Sequence, residues 1–271
     1  MPKALFYLVI GMAGAMPGIA CAQDAAVPAA QPVIVADGQA SPTQITVTAS
    51  GMPLAIDQTG EPVTEIGRAE IVAVQGEDIT RVLARAPGVS FSRNGAPGSF
   101  TGVRVRGADA EQLLVLIDGV RVADPAAPGG GFDFGNLLAG TVAKIDLLRS
   151  ANSTVWGSDA LGGVLAVSTL ANTGLSASVE GGARGTTDAV LSAGIGGERG
   201  FLGGSAGFYR TDGFSSAAAG SEPDGFEQWT ASGQGRFAPS PGLELCGSGR
   251  YALRHLDLDG YPPPAYVLSG T

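Results

Sequence analysis

The rhythm of hydrophobic and polar positions changes repeatedly along this chain. Residues 4–16 are an uncharged apolar run, residues 23–42 show no period, residues 63–169 mix helical and strand periods, and from residue 175 short segments alternate loosely. Within the mixed region, Ile79, Val82, Leu83 and Ala86 recur at i, i+3, i+4 and i+7, which predicts one face of a helix. Asp78 can cap its start, and Pro87-Gly88 stops it. Val103-Arg104-Val105-Arg106 alternates strictly and predicts a half-buried strand with Arg104 and Arg106 on one face. Leu113–Ile117 is continuously apolar and runs into Asp118-Gly119, a hairpin turn signal, with Val120-Arg121-Val122 returning. Residues 144–149 and 164–169 read as further strands. Between them, residues 92–102 and 123–135 are aperiodic and rich in Gly and Pro, so they predict loops, where ligand contacts concentrate on a rigid scaffold.

From residue 175 the segments 175–184, 189–197, 201–210, 229–237 and 243–253 are each about ten residues of apolar residues alternating with small or polar ones. That length and pattern suit transmembrane barrel strands, apolar toward lipid and polar toward the lumen. Phe201, Phe208, Tyr209, Phe214, Phe226, Trp229, Phe237 and Tyr251 stand near segment ends, where aromatic girdles would lie. A soluble β-sandwich shows similar alternation, so this stretch alone leaves both architectures open.

Composition narrows the class. The 271 residues allow one or two domains; 43 glycines, 6% aromatics and 15% charged residues favour short strands and tight turns over long helices or disorder. Met1-Pro2-Lys3 is a short basic start to the apolar run, Pro17-Gly18 breaks it, and Ala20-Cys21-Ala22 offers a signal peptidase small residues. Residues 1–22 therefore read as a cleaved export signal, too short for a transmembrane helix. Gly18 stands where lipoprotein signals usually carry leucine, which argues against lipid attachment at Cys21. Cleavage leaves Cys246 alone, so no internal disulfide is expected despite export. The formal net charge of −9, with no Lys/Arg cluster, is poorly suited to nucleic acid.

Catalytic signatures are missing. One histidine, His255, and one remaining cysteine make zinc and Cys/His chemistry improbable. Gly157-Ser158-Asp159 lacks the second spaced glycine of a nucleophile elbow. Gly233, Gly235 and Ala238 match a dinucleotide fingerprint formally, but Pro239 and Pro241 forbid the helix that would receive a pyrophosphate. A non-enzyme is expected.

Four blocks taken together say more: 81–91 (RVLARAPGVSF), 103–107 (VRVRG), 113–122 (LLVLIDGVRV) and 156–169 (WGSDALGGVLAVST). In this order and spacing they resemble the plug domain of TonB-dependent outer-membrane receptors, and within that family they are most similar to cobalamin transporters. The resemblance implies an α+β plug domain followed by antiparallel transmembrane β-strands of an incomplete outer-membrane barrel. It divides the chain into a signal peptide (1–22), a linker (23–54), a plug (55–171) and the first part of a barrel (172–271). Within the linker, residues 43–50 resemble the TonB box, in which Ile45, Thr46, Val47, Thr48 and Ala49 would pair by strand addition with a TonB-type energy transducer of the inner membrane. Arg104 and Arg106 are implied to be plug–barrel contacts, and Asp118 reads as a turn-forming aspartate.

By the same resemblance, the ligand-contacting plug positions fall on Phe100, Gly102, Asp109, Ala127 and Pro128, residue types that differ from the family's mostly polar set. The family's calcium loop falls on residues 211–226, where Glu222 and Asp224 stand at ligand positions but Ser215 replaces a third. Calcium gathers six to eight oxygens. The loop offers too few, and no cofactor is expected. The implied function is uptake of a scarce nutrient, a cobalamin-like or siderophore-like small molecule, across the outer membrane, with outer-membrane lipid around the strands and no nucleic acid. Residues 173–271 have room for about five strands, whereas such transporters close with about 22, so the chain is expected to be a fragment or truncated form that does not transport alone. The rival expectation is a secreted or periplasmic plug-like ligand-binding module that never enters a membrane; solubility without detergent separates the two.

Overall fold

The computed structural model describes residues 62–76, 78–124, 129–151, 156–215, 223–240 and 242–257. The expected signal peptide, linker and TonB box lie outside these residues, as do Ala127, Pro128 and Glu222. The described chain opens with β1 (Val63–Gly67), α1 (Arg68–Val74), α2 (Ile79–Leu83), β2 (Val89–Arg93) and β3 (Thr101–Val105). It continues through β4 (Leu113–Ile117), β5 (Val120–Val122), β6 (Val142–Leu148) and β7 (Gly163–Thr169). A meander follows: β8 (Gly174–Gly181), β9 (Thr187–Gly197), β10 (Gly200–Thr211), β11 (Phe226–Ser240) and β12 (Leu243–Leu256).

The first unit is a five-stranded sheet in the order β1-β6-β7-β4-β5, accompanied by the separate β2–β3 pair. Its β4 is buried at every position. Leu113, Val115 and Ile117 join Ile79, Val82, Leu83, Ile145 and Val167 on one side, while Leu114 and Leu116 join Leu148, Val164 and Ala166 on the other. A strand covered on both faces has no polar face to alternate with, which is why the run is continuously apolar. Each such side chain removed from water stabilises the fold by about 1.5–3 kcal/mol. The β4–β5 turn is Asp118-Gly119, with φ of 49° and 80°, and Ile117 pairs with Val120 across it. The Asp118 carboxylate also accepts bonds from the Thr169 N–H (2.8 Å) and Oγ1 (2.7 Å), locking β4 to the end of β7. At α2, Asp78 accepts a bond from the Thr80 N–H, the expected cap, and Arg93 donates to both its oxygens at 2.8 Å.

The second unit is the antiparallel wall β8 to β12, in sequential order with β8 and β12 as its edges. Its ladder puts even-numbered residues of β9, β11 and β12, and odd-numbered residues of β10, on one face. That face turns to the first unit and buries Asp188, Ser192, Ser205, Thr211, Gln228 and Thr230. The opposite face carries Leu175, Val179, Leu191, Ile195, Leu202, Trp229, Phe237, Leu245, Tyr251 and Leu253, each at least 42% exposed. Apolar outside and polar inside is the reverse of a water-soluble sheet on its core.

Three sequence readings change. Arg106 does not share a strand face with Arg104: β3 ends at Val105, and Arg106 takes a left-handed φ of 53° before Gly107, its N–H donating to the Gly88 carbonyl at 2.7 Å. The expected loop 92–102 shrinks to 94–100, because β2 and β3 pair as far as Arg93 and Thr101. Phe226 is not a girdle residue; strand parity turns it inward, where it is buried, and Tyr209 shares its side of the ladder.

Candidate functional site

The site that these elements assemble is the seam between the first unit and the wall. Its centre is Asp133, 1% exposed, at the start of the 3-10 turn Phe134–Asn136. Asp133 Oδ1 accepts the N–H groups of Thr101 and Gly135, each at 2.9 Å. Its Oδ2 accepts from Arg254 Nη1 of β12 at 2.8 Å and from Asn136 Nδ2 at 3.3 Å. Arg254 Nη1 also donates to the Gly98 carbonyl at 3.3 Å. Gly98 has φ of +90°, and a Cβ there would overlap the Phe226 ring, so only glycine lets this loop lie against β11.

Beside this centre, the Asn136 carbonyl accepts from both Gln228 Nε2 (2.9 Å) and Arg250 Nη2 (2.7 Å). Farther along, Gln234 Nε2 donates to the Thr169 carbonyl at 3.3 Å. Gly207 of β10 leaves no room for a side chain: a Cβ would come within 2.7 Å of Thr141 Cγ2 and 2.9 Å of Thr230 Oγ1. Among the described residues the buried Gln228 Oε1 and Thr230 Oγ1 find no hydrogen-bond partner. A small cavity bounded by Asp78, Arg93, Gly98, Phe134, Tyr209 and Phe226 lies in the same seam. Hydrogen bonds and the Arg254–Asp133 ion pair help to hold these surfaces, with incomplete apolar packing, so the seam is specific in register without being a continuous core.

The expected site residues are dispersed over this frame. Phe100 is 38% exposed, at the end of the 94–100 loop. Gly102 is buried in β3, and a Cβ there would lie 3.2 Å from Ala110 Cβ and 3.7 Å from Phe100 Cε1, which makes the three neighbours. Asp109 is exposed and caps the 3-10 turn Ala110–Gln112. Arg104 is exposed and donates to Ser92 Oγ at 3.4 Å across the β2–β3 pair. Among the described residues neither Arg104 nor Arg106 bonds to the wall; Asp133, Asn136, Gly98, Thr169 and the Gly76 N–H, which donates to Glu180 of β8, make such bonds. Asp224 is buried, and among the described residues no three His, Cys, Asp or Glu side chains gather as a metal would need. Asp133 escaped sequence reading, although Asp before Phe-Gly-Asn in a glycine-rich loop is a capping signal. The carbonyls of Asn136 and Gly98 have no side-chain signature at all.

Residues 55–164 match the family described as TonB-dependent Receptor Plug Domain. A ferric enterobactin receptor mutant from Pseudomonas aeruginosa (PfeA), solved with enterobactin, is similar over 72% of this chain and 33% of its own, with 18% identity and a TM-score of 0.53. The siderophore receptor PiuA from Acinetobacter baumannii is similar over 78% of this chain and 29% of its own, with 16% identity and a TM-score of 0.60. The ferric-catecholate import receptor Fiu from E. coli gives 76%, 29%, 17% and 0.56 for the same quantities. The chain thus spans about a third of the length of these structures, and at such identities the likeness is one of fold. All three are described as receptors, and Fiu as an import receptor. Residues 55–164 are thus similar to the plug domain of TonB-dependent receptors, and the described chain shares its fold with part of these solved receptors.

Proposed function

We propose that this chain is the plug and first wall strands of a TonB-dependent outer-membrane receptor that takes up a scarce chelate, siderophore-like or cobalamin-like. On this reading residues 1–22 direct export, residues 43–50 are the TonB box, residues 55–171 are the plug, and residues 172–271 begin the barrel. One observation carries it: a plug bonded, through Asp133 and Asn136, to the polar face of strands whose other face exposes leucines, valines and aromatics to their surroundings. In water that outer face would be a liability; in lipid it is the favourable arrangement. The ligand would meet the plug at loops 94–100 and 123–133, with Phe100 exposed in the first, Gly102 beneath it, and Asp109 exposed just before the 3-10 turn Ala110–Gln112. The siderophore-like alternative draws on the fold likeness to siderophore receptors, the cobalamin-like one on motif spacing. No step in this function requires a metal held by the protein.

Cell fractionation tests the reading. The protein is expected in the detergent-extracted outer-membrane fraction, with binding of a ferric catecholate or cobalamin measured on that fraction. Recovery as a detergent-free soluble periplasmic protein would replace it with the secreted binding module.

A further inference from the structure

We infer that Arg254 is a positioning residue through which the wall holds both ligand-facing loops of the plug, so that a ligand seated on one loop is felt by the other. The inference rests on the receptor reading above, in which those loops meet the ligand. A single nitrogen, Arg254 Nη1, donates to the carbonyl of Gly98 in the first loop and to the carboxylate of Asp133 at the end of the second. The other Asp133 oxygen accepts the N–H of Thr101, where the first loop re-enters β3, and of Gly135, just past the second. One guanidinium and one carboxylate thus tie the two loops to each other and to β12.

Burial gives the pair its leverage. Asp133 is 1% exposed at its side chain against 35% for Arg254, and among the described residues Arg254 is the cation in ion-pair range of it. A buried carboxylate is held in place by its counter-charge and its hydrogen bonds. Anything that draws Arg254 away from Asp133 therefore weakens the hold on Thr101 and Gly135 together. The Phe226 ring closing over Gly98 keeps the first loop within Arg254's reach. Arg250, one turn of the ladder away, grips Asn136 and leaves the first loop untouched, which makes it the natural control.

The test is amide hydrogen exchange on the full chain in detergent micelles, with no ligand added. The variants are Arg254→Met, Asp133→Asn, the double variant, and Arg250→Met. In Arg254→Met the amides of loop 94–100, Thr101 and Gly135 should exchange roughly tenfold faster or more, as expected for losing a hydrogen bond to a charged group. Exchange in Leu113–Ile117 and Gly163–Thr169 should stay at the wild-type rate. Arg250→Met should spare loop 94–100. Because Arg254 acts through Asp133, the double variant should speed Gly135 no more than the larger single change does. Unchanged loops in Arg254→Met, uniform acceleration of the whole plug, or additive effects in the double variant would each overturn the inference. The receptor reading fails separately, at the fractionation step, since exchange is read on purified protein whatever its location.

Discussion

At the scale of single residues, two glycines show how far backbone requirements can be read from local sequence. Gly119 completes the Asp118-Gly119 turn with φ of 80°, and nothing lies within 4 Å of where its Cβ would be. Gly163 has φ of +139°, and a Cβ there would overlap the Leu148 carbonyl oxygen across the β6–β7 ladder. Alanine at 119 should therefore cost about 1 kcal/mol, the left-handed penalty alone. Alanine at 163 adds a clash with fixed backbone and should cost on the order of 3 kcal/mol. Pulse proteolysis of the plug in urea, on protein in detergent, checks this: Gly163→Ala should lower the midpoint well below that of Gly119→Ala, and equal midpoints would show that β6 and β7 can part at no cost. The turn glycine was legible because its reason lies in the adjacent Asp118. Gly163 was not, because its reason lies fifteen positions back on a neighbouring strand. Asp133 was missed similarly, since two of its partners, Thr101 and Arg254, lie far away in the sequence.

At the scale of elements, period and length carried most of the information. The five barrel-like segments correspond to β8 through β12, with bounds displaced by a few residues, and the helix read from Ile79, Val82, Leu83 and Ala86 is α2, which ends at Leu83 and leaves Ala86 buried just beyond it. β1, α1 and β2 were not foreseen: five to seven residues are too few to establish a period, and β1 exists because β6 offers it an edge. Strand parity was legible only in part, since the aromatic residues alone do not say which face they serve. Phe226 and Trp229 are both near the start of β11, yet one packs on Gly98 and the other is 52% exposed. Parity makes a definite prediction at Leu191, on the outer face of β9 in the row Leu191, Ala206, Ala231, Tyr251. An arginine at a lipid-facing midplane position costs about 2–4 kcal/mol. Leu191→Arg should thus deplete the protein from the outer-membrane fraction while Leu191→Ala leaves recovery near wild type. Equal recovery of both would mean that this face does not meet lipid.

At the scale of the whole molecule, the proposed function needs a plug that force can move without exposing a hydrophobic core, and a seam of hydrogen bonds with the Arg254–Asp133 ion pair among them suits that need. Under the proposed function that force enters at Ile45-Thr46-Val47-Thr48-Ala49, which lies outside the described residues and upstream of β1 at Val63. Strand addition would draw on main-chain N–H and C=O groups, so it tolerates changes of side chain and fails where an N–H is removed. Val47→Pro deletes one donor and fixes φ near −65°, which β-pairing does not accept in the middle of a strand. Val47→Ala keeps the donor and changes only the side chain. Capture of the transducer's periplasmic domain should accordingly fall at least roughly tenfold in Val47→Pro, the scale of one lost ladder bond with the strain of a misfit φ, and stay near wild type in Val47→Ala. Binding of the same ferric catecholate or cobalamin probe should be equal in both, because the bonds described for Gly98, Thr101, Asp133 and Gly135 are made among residues downstream of 62. Transducer capture at the wild-type level by Val47→Pro would move the point of force application to another segment. Loss of ligand binding by the same variant would mean that residues 43–50 belong to the plug and are not a free strand awaiting a partner.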